Sequence, residues 1–185
     1  MLANAKKIGG ILLIAAALLL NGCKEEKAEI GAAAPALAAY DLQGNQVALS
    51  QWQGKHVFLN FWASSCGGCL AEMPALEKLS KEFGDSIVVV GINTDKDEMN
   101  IQALLDERQV SFPNVRDQLA ITQERYQVIG TPTAYLIDPQ GKLIGQYVGM
   151  LKEPELKAVF EQSRQKGEPP TRFGNGQVLN RRVIN

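Results

Sequence analysis

The chain has 185 residues, is 45% hydrophobic and carries a formal net charge of −1. That is enough apolar material for one globular domain with its own core. The near balance of 19 basic and 20 acidic residues offers no basic field for nucleic acid and no long acidic block.

The first segment stands apart from that domain. Lys6 and Lys7 precede an apolar stretch, Ile8 to Leu20, which is too short to cross a bilayer comfortably and is laid out as a secretory signal. Leu20-Asn21-Gly22-Cys23 follows and resembles the lipobox of bacterial lipoproteins. The resemblance implies that residues 1–22 are removed and that Cys23 becomes a lipid-modified N-terminus. Of the three cysteines, Cys66 and Cys69 then remain, so the exported form holds one exchangeable bond and no separate structural disulfide. Residues 23–35 are charged, then alanine-rich, without apolar periodicity. They are expected to tether the domain to the membrane.

Ala36–Leu42 and Gln46–Leu49 are short extended runs around Gln43-Gly44-Asn45, the pattern of a β-hairpin. Ser50–Lys55 predicts a turn or a single helical turn. Val57–Trp62 is a continuous apolar strand of the kind buried on both faces. Leu70–Phe83 predicts a helix, with Leu76, Leu79 and Phe83 on one face, Glu77 and Lys81 paired on another, and a kink at Pro74. Ile87–Asn93 is a second buried strand. Asp97–Gln109 predicts a helix that packs Ile101, Leu104 and Leu105, with Arg108 marking its end. Phe112–Arg116 predicts a short strand and Gln118–Tyr126 a short helix. Thr133–Asp138 and Lys142–Val148 flank Pro139-Gln140-Gly141 as an antiparallel hairpin. Pro154 suits the first turn of a last helix that packs Leu156, Val159 and Phe160. From 167 to 185 Gly, Pro, Asn and Arg prevail, which predicts a mobile tail. Mixed strands and helices in this order predict an α/β domain over 36–166: a central mixed β-sheet flanked by helices, with an N-terminal β-hairpin extension.

Cys66-Gly67-Gly68-Cys69 lies at the junction of the first buried strand and the helix after it. Two thiols at this spacing can close into a small disulfide and reopen. Free N–H groups and the positive end of the helix dipole favour a thiolate at Cys66, and the thiolate is the attacking species in disulfide exchange. Other uses of the pair fit less well. A disulfide closing so short a loop constrains the unfolded chain little. A structural zinc site takes four ligands, and His56 is the only histidine. No metal and no cofactor is called for.

Val57–Cys69, continued by Leu70-Ala71-Glu72-Met73-Pro74, resembles the active-site segment of thioredoxin-like proteins. Gly130-Thr131-Pro132-Thr133 resembles their cis-proline loop. The leading hairpin and Gly54-Lys55 resemble the membrane-anchored TlpA/ResA branch. The resemblance covers roughly residues 36–165 and implies a thioredoxin fold with Cys66 as the attacking thiol and Cys69 as the resolving one. It implies a cis bond at Pro132 and Thr131 backbone groups open to an extended substrate segment. It also implies that Glu72 is an active-site carboxylate, since Asn60 stands where thioredoxin has a buried aspartate and cannot titrate. A partly buried Glu72 with a raised pKa could take the proton of Cys69. Trp62, Gly67 and Gly68 are expected to face the substrate.

Two departures from the family pattern bear on partners. Ser65 replaces the usual tryptophan before the first cysteine, and Gly67-Gly68 replaces a pair that usually contains proline. The flexible glycines favour the open dithiol entropically. The expected protein is an exported, membrane-anchored thiol–disulfide oxidoreductase facing the periplasm or cell exterior. Its expected clients are oxidised cysteine pairs of exported proteins, those of cytochrome c maturation among them, and a membrane thiol donor is expected to keep it reduced. The rivals are a thiol oxidant, a peroxiredoxin-type peroxidase, a metal chaperone, and a binding module with an idle cysteine pair.

Overall fold

The computed structural model describes residues 26–96 and 100–166. The expected signal segment 1–22, the expected lipidation site Cys23 and the expected mobile tail 167–185 lie outside the described residues. The hairpin is β1 (Ala39–Asp41) and β2 (Gln46–Val47), followed by a 3-10 turn (Leu49–Trp52). Then come β3 (His56–Trp62), α1 (Gly67–Glu82), β4 (Ile87–Asn93), α2 (Ile101–Glu107), β5 (Asn114–Arg116), α3 (Ile121–Arg125), β6 (Thr133–Ile137), β7 (Leu143–Val148) and α4 (Glu153–Lys166). One seven-stranded sheet has the order β2-β1-β5-β4-β3-β6-β7. β3, β4 and β5 run parallel, while β6 is antiparallel to β3 and β1 to β5.

β3 is continuous in sequence because both of its faces are covered. Phe58 and Trp62 pack with α1, α2 and α4, whereas Val57, Leu59 and Phe61 pack with α3 and the segment before β1. Residues 28–35 differ from the expected tether. The N–H of Gly31 donates to the Leu143 carbonyl, that of Leu143 to Ala32, and that of Ala34 to Gly141. The Tyr126 hydroxyl donates to the Pro35 carbonyl at 2.8 Å. Ala28, Ile30 and Ala34 rest on the core. The inward residues do alternate, as in any strand, but most are alanines, so the pattern is faint.

Both middle helices are shorter than expected. Asn100 caps α2 by accepting the Ala103 N–H, and Gln109 leaves the helix with φ 56°. The Asp117 carboxylate accepts the N–H groups of Thr122 and Gln123 and so sets the start of α3 at Ile121. Glu77 is not merely the surface partner of Lys81. It is 8% exposed and accepts from the Ser111 N–H at 2.7 Å, the Ser111 hydroxyl at 2.6 Å and the Phe112 N–H at 3.3 Å. Burial pushes its pKa up, but Lys81 and these donors outweigh burial and hold it below the usual value.

Gly91 in β4 has a specific reason. A Cβ there would lie 2.0 Å from Asn114 Oδ1 and 3.0 Å from Trp62 Nε1. The missing side chain lets Asn114 Oδ1 accept the indole N–H at 2.9 Å. Gly91→Ala is expected to expel Asn114 and to destabilise the fold by about 2–4 kcal/mol. Urea unfolding followed by tryptophan fluorescence would measure the loss, with the slope of the transition unchanged.

Candidate active site

The carboxyl end of β3 delivers the chain through Ala63, Ser64 and Ser65 to Cys66, the cap of α1. Cys66 has extended backbone (φ −87°, ψ 98°), and its sulfur accepts the Cys69 N–H at 3.1 Å. One of the donors of the first helical turn thus points at this sulfur. Cys66 and Cys69 are joined as a disulfide. The two sulfurs are not equivalent: Cys69 is 1% exposed within the core, while Cys66 is only partly buried. An incoming thiolate therefore reaches Cys66.

The loop before Cys66 is fixed from β4. The Ser64 N–H donates to Asp95 Oδ2 at 2.9 Å, and the Asn93 side chain donates to the same oxygen at 2.7 Å. Asp95 has no signature in the sequence because its partner is a backbone group far along the chain.

The Thr131–Pro132 bond is cis. A Cβ on Gly68 would stand 3.7 Å from Pro132 Cδ and 3.7 Å from Met150 Cβ, so the proline, the second glycine and Met150 meet at the disulfide. Gly67 faces open space and is exposed. Among the described residues, no backbone partner is found for Thr131. Ile129 is fully exposed, and Val148 and Met150 are nearly half exposed. These apolar side chains stand on the cis-proline side, with Met150 next to Gly68. Sequence reasoning did not single them out, because an exposed Met or Ile reads like a core residue until the chain is folded.

Glu72 is one helical turn beyond Cys69 on the same face of α1. It is 4% exposed. Its Oε1 accepts the Leu151 N–H at 2.9 Å, and its Oε2 accepts Asn60 Nδ2 at 3.1 Å. The Leu151 donor arrives through the turn at Gly149, which has φ 89° and donates its N–H to the Pro132 carbonyl. Only glycine takes that conformation readily. Burial raises the Glu72 pKa from 4.5 to about 7, against the opposing pull of the two donors.

Trp62 is a correction. It was expected to touch substrate, but it is 2% exposed and its N–H is spent on Asn114. It packs in the same core as Cys69 and Met73 and supports the site from beneath. The indole is large enough to seal that layer, which is why it is buried despite lying so near the cysteines.

The comparisons agree with this geometry. The AhpC/TSA family profile matches residues 30–146. A thioredoxin-like protein of Bacillus subtilis, YneN, is 36% identical over 137 residues, covering 72% of this chain and 80% of its own. The thiol–disulfide oxidoreductase ResA of Bacillus thuringiensis is 33% identical over 135 residues, covering 72% and 78%. The crystal structure of a putative thiol:disulfide interchange protein DsbE from Chlorobium tepidum superposes with TM-score 0.66 at 32% identity, over 75% of this chain and 96% of its own. The thioredoxin domain of a Bacteroides vulgatus thiol–disulfide oxidoreductase gives TM-score 0.64 at 30% identity, over 72% and 96%. With its cysteine pair at the helix start beside a cis-proline, the chain belongs to the AhpC/TSA family of thioredoxin-fold proteins and is a protein-disulfide oxidoreductase.

Proposed function

We propose that the protein is exported, anchored to the membrane by lipid on Cys23, and reduces disulfides in exported client proteins. The observation that carries the mechanism is the asymmetry of the pair: an accessible Cys66, and a buried Cys69 one turn from a buried carboxylate. In the reduced protein the Cys66 thiolate attacks one sulfur of the client disulfide, and the other client sulfur leaves as a thiolate. The Cys69 proton passes to Glu72. The Cys69 thiolate then attacks Cys66, the mixed disulfide breaks, and the second client thiolate departs. The client is reduced by two electrons, and the pair is oxidised to the disulfide.

The client segment next to its cysteine lies extended on Thr131, with Ile129, Val148 and Met150 around it. Glycines at 67 and 68 leave room for bulky neighbours. Cysteines awaiting haem attachment in cytochrome c maturation fit such a site. Exported compartments are oxidising, so sustained reduction requires a membrane thiol donor.

The reduction potential of the Cys66–Cys69 couple tests the direction. It is measured on the soluble protein begun at Lys24, equilibrated in glutathione or dithiothreitol buffers. A value near that of thioredoxin, about −270 mV, is the expected result. A value near about −120 mV, that of a strong oxidant, would replace the reductive reading with disulfide donation.

A further inference from the structure

Asn60 occupies the centre of β3, 3% exposed, between Gly91 of β4 and Ala134 of β6. A carboxamide there needs a reason, because polar groups in a sealed layer cost free energy unless they are paired. Only half of it is paired. Nδ2 donates to Glu72 Oε2 at 3.1 Å, while Oδ1 is buried without a hydrogen-bond partner. A carboxylate can use only the donor end of the amide. A carboxylic acid carries an O–H, which needs an acceptor, and the unpartnered oxygen is one half-turn away.

We propose that Asn60 is a positioning residue for Glu72, its amide turning about χ2 so that Nδ2 serves the carboxylate and Oδ1 the carboxylic acid. One end of the amide is unpartnered in either orientation, so that cost is common to both states and cancels between them. The Glu72 proton can then come and go without either form losing its bond to β3. A hydrocarbon at this position would serve neither form, and an aspartate would bring a second ionisable group into the same pocket.

The surroundings make the pair self-contained. The other carboxylate oxygen is held by the Leu151 N–H. Among the described residues, burial, Leu151 and Asn60 account for the shift of Glu72, and no charged side chain acts on it. Cys69 is the titratable neighbour on its own helix. Across the sheet row through Ala134 stands Tyr147, whose ring lies over Gly145 and whose own pKa is driven far up by burial, so it stays neutral.

This inference rests on the reading of Glu72 as the proton acceptor, and the test separates the two. The full domain is labelled with 13C at glutamate carboxyls, and the Glu72 titration is followed by NMR in the wild type, Asn60→Leu and Asn60→Ala. The pH profile of mixed-disulfide resolution is measured alongside. Substituting Asn60 removes both bonds, and because the one to the charged carboxylate is the stronger, the Glu72 midpoint is expected to move up by about one pH unit, a tenfold change in proton affinity. The substitution is expected to slow resolution several-fold at pH 7, with recovery at higher pH. In a Glu72→Gln background the same Asn60 substitutions should leave the pH profile unmoved. An Asn60 role confined to packing would lower stability but leave the Glu72 midpoint within about 0.3 unit, and that result overturns the proposal. If instead the midpoint moves as expected but Glu72→Gln keeps the wild-type resolution profile, the coupling stands and the proton-acceptor reading fails. Asn60→Ala covers the case in which the larger leucine prevents folding.

Discussion

Cys69→Ser, mixed with an oxidised client such as insulin, is expected to stop at a covalent adduct through Cys66, while Cys66→Ser forms none. The reason is geometric. Cys66 is the sulfur that solvent reaches, at the start of α1 where helix N–H groups favour the thiolate. Cys69 is 1% exposed and can attack only a sulfur already held at Cys66. Removing it leaves the first exchange intact and blocks the second, so turnover falls to the uncatalysed rate. The adduct is read on a non-reducing gel and by intact mass, and dithiothreitol should dissolve it. Adducts of equal yield from both single variants would mean that the burial asymmetry does not order the reaction. A Cys66→Ser variant that retained turnover would remove the mechanism altogether.

How much of this could be read beforehand depended on the range of the interaction involved. β3 and β4 were legible because burial on both faces leaves an unbroken apolar run. Glu72 came with the family resemblance; its spacing from Cys69 alone would equally have suited a surface glutamate in the first turns of a helix. The cis bond at Pro132 came with the family pattern. What stayed hidden was made by backbone groups and small side chains. The strap at 28–35 is held largely by main-chain hydrogen bonds and alanines, whose contacts leave little mark on hydropathy. Glu77 looked like a surface partner of Lys81 because the i, i+4 pattern is the same whether or not the loop at Ser111 folds over it. Asp95 and Leu151 act through single N–H or carboxylate contacts between distant segments. Trp62 packs beside the site as expected, on the face of β3 that meets Cys69 and Met73, but it is buried below the surface and does not face the substrate.

The hidden pieces also change how partner choice is understood. Ser65, Gly67 and Gly68 remove side chains from the approach to the disulfide, while Ile129, Val148 and Met150 expose apolar surface, Met150 next to Gly68. The main-chain groups of Thr131 are independent of side-chain identity. In the proposed function, client backbone and apolar residues would be gripped together on the cis-proline side.

Glu72→Gln is expected to make the protein more stable in alkaline solution while slowing its chemistry. In the folded state burial raises the Glu72 pKa from 4.5 to about 7. Between those values the folded protein holds a proton that the unfolded chain has lost, so stability falls as pH rises through this window. Below 4.5 both states are protonated and the group costs nothing. Above about 7 the full penalty is present, on the order of 3 kcal/mol from the size of the shift. Glutamine keeps an acceptor for the Leu151 N–H and a group that can meet Asn60, but never ionises. The variant should therefore gain about 3 kcal/mol over the wild type at pH 8.5 and almost nothing at pH 4.5, read from urea melts at both values. His56 runs the other way: burial lowers its pKa, against the charge of Asp138, so stability is lost as pH falls below about 6.5. That term is common to both proteins and cancels in their difference. The same substitution removes the proposed acceptor of the Cys69 proton, and resolution near neutral pH should slow by about 10²-fold. Equal stability at the two pH values would mean that Glu72 is not held in a destabilising ionised state. A gain at pH 8.5 with unchanged resolution would leave the buried carboxylate a cost without a catalytic return.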